Sequence, residues 1–142
     1  MKNIKNLTHL DLGSGDPDYC WDPDNEDQLI RLDNDPNQEP DVLHDLETPL
    51  PFPDNSMEQI TLSQCLIYIK NQKQLAQEIR RILKPGGTFI LHAYYWNYHN
   101  DNPYIDLNPF ISHLGLTLLK FDMPNVHDDQ FDGTVRLDFQ KP

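Results

Sequence analysis

Short apolar runs, each closed by a turn former, alternate along this chain with polar stretches and two segments of helical spacing. "LTHLDL" (7–12) stops at Gly13, "QLIRLD" (28–33) stops at "NDPN", and "DVLH" (41–44) is a short third run. The first half of "MEQITLSQCLIYI" (57–69) reads as a buried strand, and "TFILHAYYW" (88–96) is rich in aromatic and β-branched residues. "LTLLKFDM" (116–123) and "TVRLDFQ" (134–140) complete the strands, the last with Val135, Leu137 and Phe139 in clean alternation. In "NQKQLAQEIRRIL" (71–83), Leu75, Ile79, Ile82 and Leu83 fall at helical spacing, and "KPGG" (84–87) predicts the stop. Asn108-Pro109 predicts a cap and first position for the helix "FISHLG", closed by Gly115. Three prolines keep "PLPFPDNS" (49–56) out of any helix or central strand and leave a turn at Asp54-Asn55-Ser56. Strands interleaved with helices and turns predict an α/β domain.

The 142 residues fit a single domain, residues 1–142. No stretch approaches the roughly 18 apolar residues of a membrane span, and "MKNIKNLTHLDL" has no apolar signal core. Cys20 and Cys65 are too few and too far apart for a disulfide framework or a zinc site, so the expected compartment is the reducing cytoplasm and no metal is expected. Charge sharpens the picture through its distribution. Of a net −12, the segment from Asp11 to Glu47 holds 13 acidic residues and a single basic one, Arg31. Such a surface repels nucleic-acid backbones and anionic membranes, so neither is an expected partner. The run "DPDNED" (22–27) lacks the glycine and ligand spacing of a calcium loop and reads, with "HDDQFD" (127–132), as solvated surface.

The chemistry concentrates in "LDLGSGDPDY" (10–19). A glycine turn after a first strand is where an open α/β sheet receives ligands, and Asp33 ends the second strand 20 residues after Gly13, well placed to accept both hydroxyls of a ribose. A dinucleotide needs a third glycine and a helix N-terminus for its pyrophosphate. Here Asp16 and Asp18 intervene and "PDYCWDPDNED" is turn and acid. Carboxylates beside a pyrophosphate repel it by several kcal/mol at an effective dielectric of about 20. A ligand with a ribose, an adenine, an ammonium and a sulfonium, and no phosphate, fits instead: S-adenosylmethionine.

Three stretches in order, "LDLGSG" (10–15), "PDVLHDLETPLPFPDNSMEQI" (40–60) and "EIRRILKPGG" (78–87), make the chain resemble a class I S-adenosylmethionine-dependent methyltransferase of the compact, type 11-like subgroup over about residues 8–95. The resemblance implies a minimal Rossmann-like sheet, mostly parallel with an antiparallel last strand, and reduced helices. It places Asp11, Gly13, Ser14 and Gly15 in the first motif, whose backbone approaches the amino-acid end of the cofactor. It places Asp33, with Asn34 after it, at the ribose and Asp45, with Leu46 beside it, at the adenine amino group. Leu50 and Phe52 belong to the adjoining hydrophobic stretch, and Ser63-Gln64 close strand four near the methyl donor.

The sequence also departs from the subgroup. Pro17 stands at the third glycine, and the segment between Asp33 and Asp45 is too short for a crossover helix. A histidine–glutamate–histidine pattern frequent after strand four is replaced by Gln64, Ile67 and Tyr68. His92, Tyr94 and Tyr95 near the end of strand five, with Tyr68 across from them, are the catalytic candidates, a proton acceptor being needed for nitrogen or oxygen methylation. The expected function is methyl transfer to a small-molecule or protein acceptor. The alternative is a non-catalytic, cofactor-binding module that works through a partner, with a second copy or a partner subunit capping an open site.

Overall fold

The computed structural model describes residues 2–15, 27–63, 65–94, 107–122 and 134–142, the side chains of Tyr94 and Thr134 excepted. Seven strands form one sheet: β1 (His9–Leu12), β2 (Leu29–Asp33), β3 (Val42–Leu43), β4 (Met57–Ser63), β5 (Leu83–Tyr94), β6 (Thr117–Asp122) and β7 (Thr134–Gln140). Among the described residues two α-helices accompany them, α1 (Gln72–Ile82) and α2 (Asn108–Leu114). The strand order is β3-β2-β1-β4-β5-β7-β6. Pairing is parallel from β3 to β5, whereas β7 runs antiparallel to both β5 and β6. This is the minimal, mostly parallel class I sheet that the sequence implies. Between β2 and β3 there is only a single 3-10 turn, Pro36–Gln38, in place of a crossover helix.

Alternation along the strands separates two faces. Leu10 and Leu12 of β1, Ile30 and Leu32 of β2, Ile60 and Leu62 of β4 and Phe89 and Leu91 of β5 share the face that packs on the helices. Phe89 meets Phe110 of α2 and Phe139 of β7, each at a ring-centroid separation of 6.0 Å. The amphipathic α1 closes this core with Leu75, Ala76, Ile79 and Ile82, all fully buried. Burial of such aliphatic side chains stabilises by about 1.5–3 kcal/mol each, so one charged substitution at Ile79 would break the layer. Leu50 is likewise buried, and Phe52 is partly buried against the core.

The cap of α2 revises the sequence reading, and the end of α1 adds to it. Asn71 caps α1 by accepting from the amide of Gln74 at 3.1 Å, and the helix stops at Ile82, just before "KPGG". The chain passes from Ile82 directly into β5, whose Leu83 pairs with Met57 before a bulge restores register at Thr88 opposite Gln59. The orphaned C-terminal carbonyls find tertiary partners instead. Asn55 N–H donates to Arg81 and Ser56 N–H to Ile82, while Lys141 Nζ donates to the carbonyls of Arg80 and Leu83, each at 2.7 Å. For α2, the cap position is Leu107 rather than Asn108; Pro109 sits in the first turn and Gly115, at φ 63°, closes the helix.

Candidate cofactor and active site

Parallel neighbours leave β1 in opposite directions, β2 on one side and β4 on the other, so the sheet has its switch point at β1. Just beyond the C-terminal ends of these strands lies a cleft of about 280 Å³. It is lined by Asp33 and Asn34 after β2, by Asp45, Leu46 and Glu47 after β3, and by Cys65, Tyr68 and Ile69 after β4. Five residues singled out from sequence thus meet in one place: Asp33, Asn34, Asp45, Leu46 and Tyr68. Glu47, Cys65 and Ile69 were missed. Spacing carried a faint signal for Cys65 alone, two positions past the last strand residue in the strand's own period of two.

The glycine turn adjoins this cleft. Gly13 and Gly15 have φ of 62° and 63°, the left-handed region that L side chains rarely adopt. A Cβ on Gly13 would stand 2.7 Å from Cys65 Sγ, so a bare backbone is required there, whereas a Cβ on Gly15 would meet nothing within 4 Å. Asp33 binds the turn in place: its Oδ2 accepts from Gly15 N–H at 2.9 Å and its Oδ1 from Asp35 N–H at 3.0 Å. Arg31 reinforces the same turn through Nη2, which donates to Gly15 O at 2.9 Å. Asp45 holds its own loop, its Oδ1 accepting from Glu47 N–H at 2.9 Å, and Glu47 in turn accepts from Lys70 N–H at 2.9 Å.

Asp11 lies under the turn, on the sheet face opposite the core, in register with Arg31 on one side and Thr61 on the other. It is 5% exposed. Its Oδ1, the hydroxyl of Ser14 and that of Thr61 find no hydrogen-bond partner among the described residues. Burial pushes the Asp11 carboxyl up to about 7, against the pull of the Arg31 guanidinium and with a further push from Asp33. Burial also raises the Cys65 thiol to about 12, helped by the charges of Asp11 and Asp33, which makes this cysteine a poor nucleophile.

The catalytic candidates are distributed differently. Tyr68 stands at the cleft, 79% exposed. His92 pairs in register with Ser63 at the end of β4, one strand along, and is not among the residues that line the cleft. Burial first, and Arg136 second, lower its pKa, so the imidazole is neutral near pH 7. Gln64, Tyr95, Asp16, Pro17, Asp18, Cys20 and most of the runs at 22–27 and 127–132 lie outside the described residues. Among the described residues there is no cluster of His, Cys, Asp and Glu arranged for a metal. No described helix is long and apolar enough to cross a membrane.

Comparison with known proteins gives this arrangement a family. A model described as a methyltransferase domain matches residues 5–91. The chain belongs to that family. Its sheet is the class I S-adenosylmethionine-dependent methyltransferase fold. A sterol 24-C-methyltransferase of Gibberella zeae is 34% identical over 55 residues, 37% of this chain and 14% of that protein, so the chain spans only a small part of that relative's length. An S-adenosylmethionine-dependent methyltransferase from Listeria monocytogenes superposes with a TM-score of 0.70 at 13% identity, over 100% of this chain and 94% of that one. A chain from the Haloferax volcanii complex between a methyltransferase activator and a methyltransferase superposes with a TM-score of 0.67 at 21% identity, covering 96% of this chain and 83% of that one. These structural likenesses show the fold.

Proposed function

We propose that this methyltransferase-family chain is an S-adenosylmethionine-dependent methyltransferase whose cofactor lies along the C-terminal edge of β2, β1 and β4. One observation carries the reading: Asp33 and Asp45, from two separate strand ends, line one cleft beside a glycine turn, with no basic side chain among the described lining residues. The donor set fits a cationic nucleoside and opposes a pyrophosphate. The orphaned oxygens of Asp11 and Ser14 beneath the turn supply two buried acceptors for an ammonium.

Asp33 spends one acceptor site per oxygen on Gly15 and Asp35, and a carboxylate has about four, so one on each oxygen remains for the two ribose hydroxyls. Asp45 keeps Oδ2 for the adenine amino group, with Leu46 and Ile69 as apolar walls. The backbone of Gly13 to Gly15 orients the amino-acid end, and Asn34 and Gln64 complete the assigned set. When bound, S-adenosylmethionine supplies a methyl group on a sulfonium, open to in-line displacement. The chain's own work is alignment of an acceptor within about 3–3.5 Å of that methyl. Removal of the acceptor's proton falls to His92, already neutral, or to the hydroxyls of Tyr68 and Tyr95.

Calorimetric titration of the protein with S-adenosylmethionine and S-adenosylhomocysteine, with Asp33→Ala and Asp45→Ala in parallel, tests the site. Micromolar affinity, about −8 kcal/mol, lost in both variants is the expected result; equal affinity in wild type and variants refutes the assignment. A second reading, a module that acts through a partner, is favoured by the exposure of Tyr68 at the cleft and of Ile67 before it in the chain. It predicts no binding by the chain alone and recovery of binding with the partner present.

A further inference from the structure

The two walls of the cleft come from strands that are not neighbours. Asp45, Leu46 and Glu47 follow β3, whereas Cys65, Tyr68 and Ile69 follow β4. Strands β2 and β1 lie between, so the two strands stand three steps, about 14 Å, apart at the usual spacing. The β4 wall is firmly anchored. The N–H groups of Tyr68 and Ile69 donate to Cys65 O and Leu66 O across the 3-10 turn Leu66–Tyr68, and Asn71, the cap of α1, follows closely. The β3 wall hangs from a two-residue edge strand, in which Val42 pairs with Leu32 and Leu43 with Asp33. His44 N–H extends that ladder to Asp33 O at 2.9 Å, and Leu46 is buried. The other hydrogen bonds of residues 44–48 run to His44, Asp45 and Pro49, within the loop itself, with one exception.

The exception is Glu47. Its Oε1 accepts from Lys70 N–H at 2.9 Å, while its own N–H donates to Asp45 Oδ1 at 2.9 Å. Among the described residues, this is the hydrogen bond that joins the two walls. One residue thus holds both the carboxylate assigned to the adenine amino group and the backbone directly after Tyr68 and Ile69. We propose that Glu47 is a positioning residue that sets the width of the cleft, keeping Asp45 and Ile69 at the separation that grips an adenine. Resting on the cofactor assignment above, this role is exercised through Asp45 and Ile69 and not through the charge of Glu47. A neutral acceptor in the same place would serve it.

Glu47→Gln keeps an acceptor oxygen and drops the charge, whereas Glu47→Ala drops both. Calorimetric titration with S-adenosylhomocysteine, and with 5′-methylthioadenosine, which lacks the amino-acid end, compares the two variants with wild type. Glu47→Ala is expected to weaken both ligands about tenfold, the worth of a hydrogen bond to a charged acceptor, and Glu47→Gln less than about threefold. Hydrogen exchange by NMR reads the latch without ligand. The Lys70 amide is expected to be protected in wild type and Glu47→Gln and unprotected in Glu47→Ala, with the amides of β1 and β4 unchanged as evidence of an intact fold. Equal affinity in wild type and Glu47→Ala, or a Lys70 amide protected in all three, overturns the proposal and leaves the cofactor site standing. So does an equal loss in both variants, which assigns the effect to charge, or a loss confined to S-adenosylhomocysteine, which places it at the amino-acid end. A wild type that binds neither ligand overturns the cofactor assignment itself, and this role with it.

Discussion

The amide of Gly15 donates to Asp33 Oδ2 at 2.9 Å, so the turn after β1 is fastened by the same carboxylate that is assigned to the ribose. Asp33→Ala should therefore do two things. Cofactor affinity falls at least about tenfold, a loss of about 1.4 kcal/mol or more. The Gly15 amide also exchanges its hydrogen faster in the cofactor-free protein, because its acceptor is gone. Hydrogen exchange followed by NMR separates the two effects. Unchanged protection at Gly15 would show that the turn holds without Asp33.

Gly13 and Gly15 share nearly the same backbone conformation but not the same surroundings, which makes them an internal control. Alanine at either position carries the left-handed cost of about 1–2 kcal/mol. Only at Gly13 does the new methyl collide with Cys65. Gly13→Ala should thus destabilise by about 1–3 kcal/mol more than Gly15→Ala in urea denaturation. Adding Cys65→Ala to Gly13→Ala should recover part of that excess, whereas adding it to Gly15→Ala should not.

Asp11 gives a signed pH dependence. Its carboxyl is raised from 3.8 to about 7 in the folded chain, so folding favours the protonated form. The stability this group contributes is fully present below its unfolded pKa and is lost as pH rises through about 7. Asp11→Asn, which cannot ionise, should match wild type near pH 4. It should become more stable than wild type by up to about 4 kcal/mol above pH 7. A difference that does not vary with pH would mean that Asp11 is ionised in the cofactor-free fold.

The opposite sign is expected at the brace between α1 and the proline-rich stretch. Glu78 Oε2 accepts from Leu50 N–H at 2.8 Å, while Arg81 donates to the carbonyls of Leu50 and Phe52 and pairs with Glu78 and Asp54. The Arg81 hydrogen bond holds the Glu78 carboxyl below its ordinary 4.5. Its contribution is present above that value and is lost as pH falls through the folded pKa. Glu78→Gln should cost about 1–3 kcal/mol at pH 7 and progressively less in acid, as urea midpoints at several pH values would show.

How much of this was readable from sequence depended on whether the deciding interaction was local. Strand β7 and helix α1 carry their own period, and Gly115 its own backbone requirement, so each was legible. Asp33 and Asp45 were placed by motif order and do meet at one cleft. "KPGG" marked the end of α1, but not what finishes it, because those partners are distant: Met57 pairs with Leu83 in the sheet, and Asn55, Ser56 and Lys141 take the helix carbonyls. Asn108 was misread as a cap because the residue type favours one, whereas the backbone turns at Leu107. Glu47 and Ile69 reach the cleft through the way two loops close upon each other, and no periodicity in either loop announces that.

Lys141 has a consequence for the time course of folding. Its amide and carbonyl pair with Gly87 and Gly86, and its ammonium reaches Arg80, Leu83 and Asn55, contacts separated by up to 86 positions in sequence. The first strands can find one another early, and Asn55 and Ser56 can then close two carbonyls at the end of α1, but those of Arg80 and Leu83 wait for Lys141. Long-range closures of this kind are slow. The end of α1 is therefore expected to lock only once Lys141 is in place, and to fray in a chain cut before residue 141.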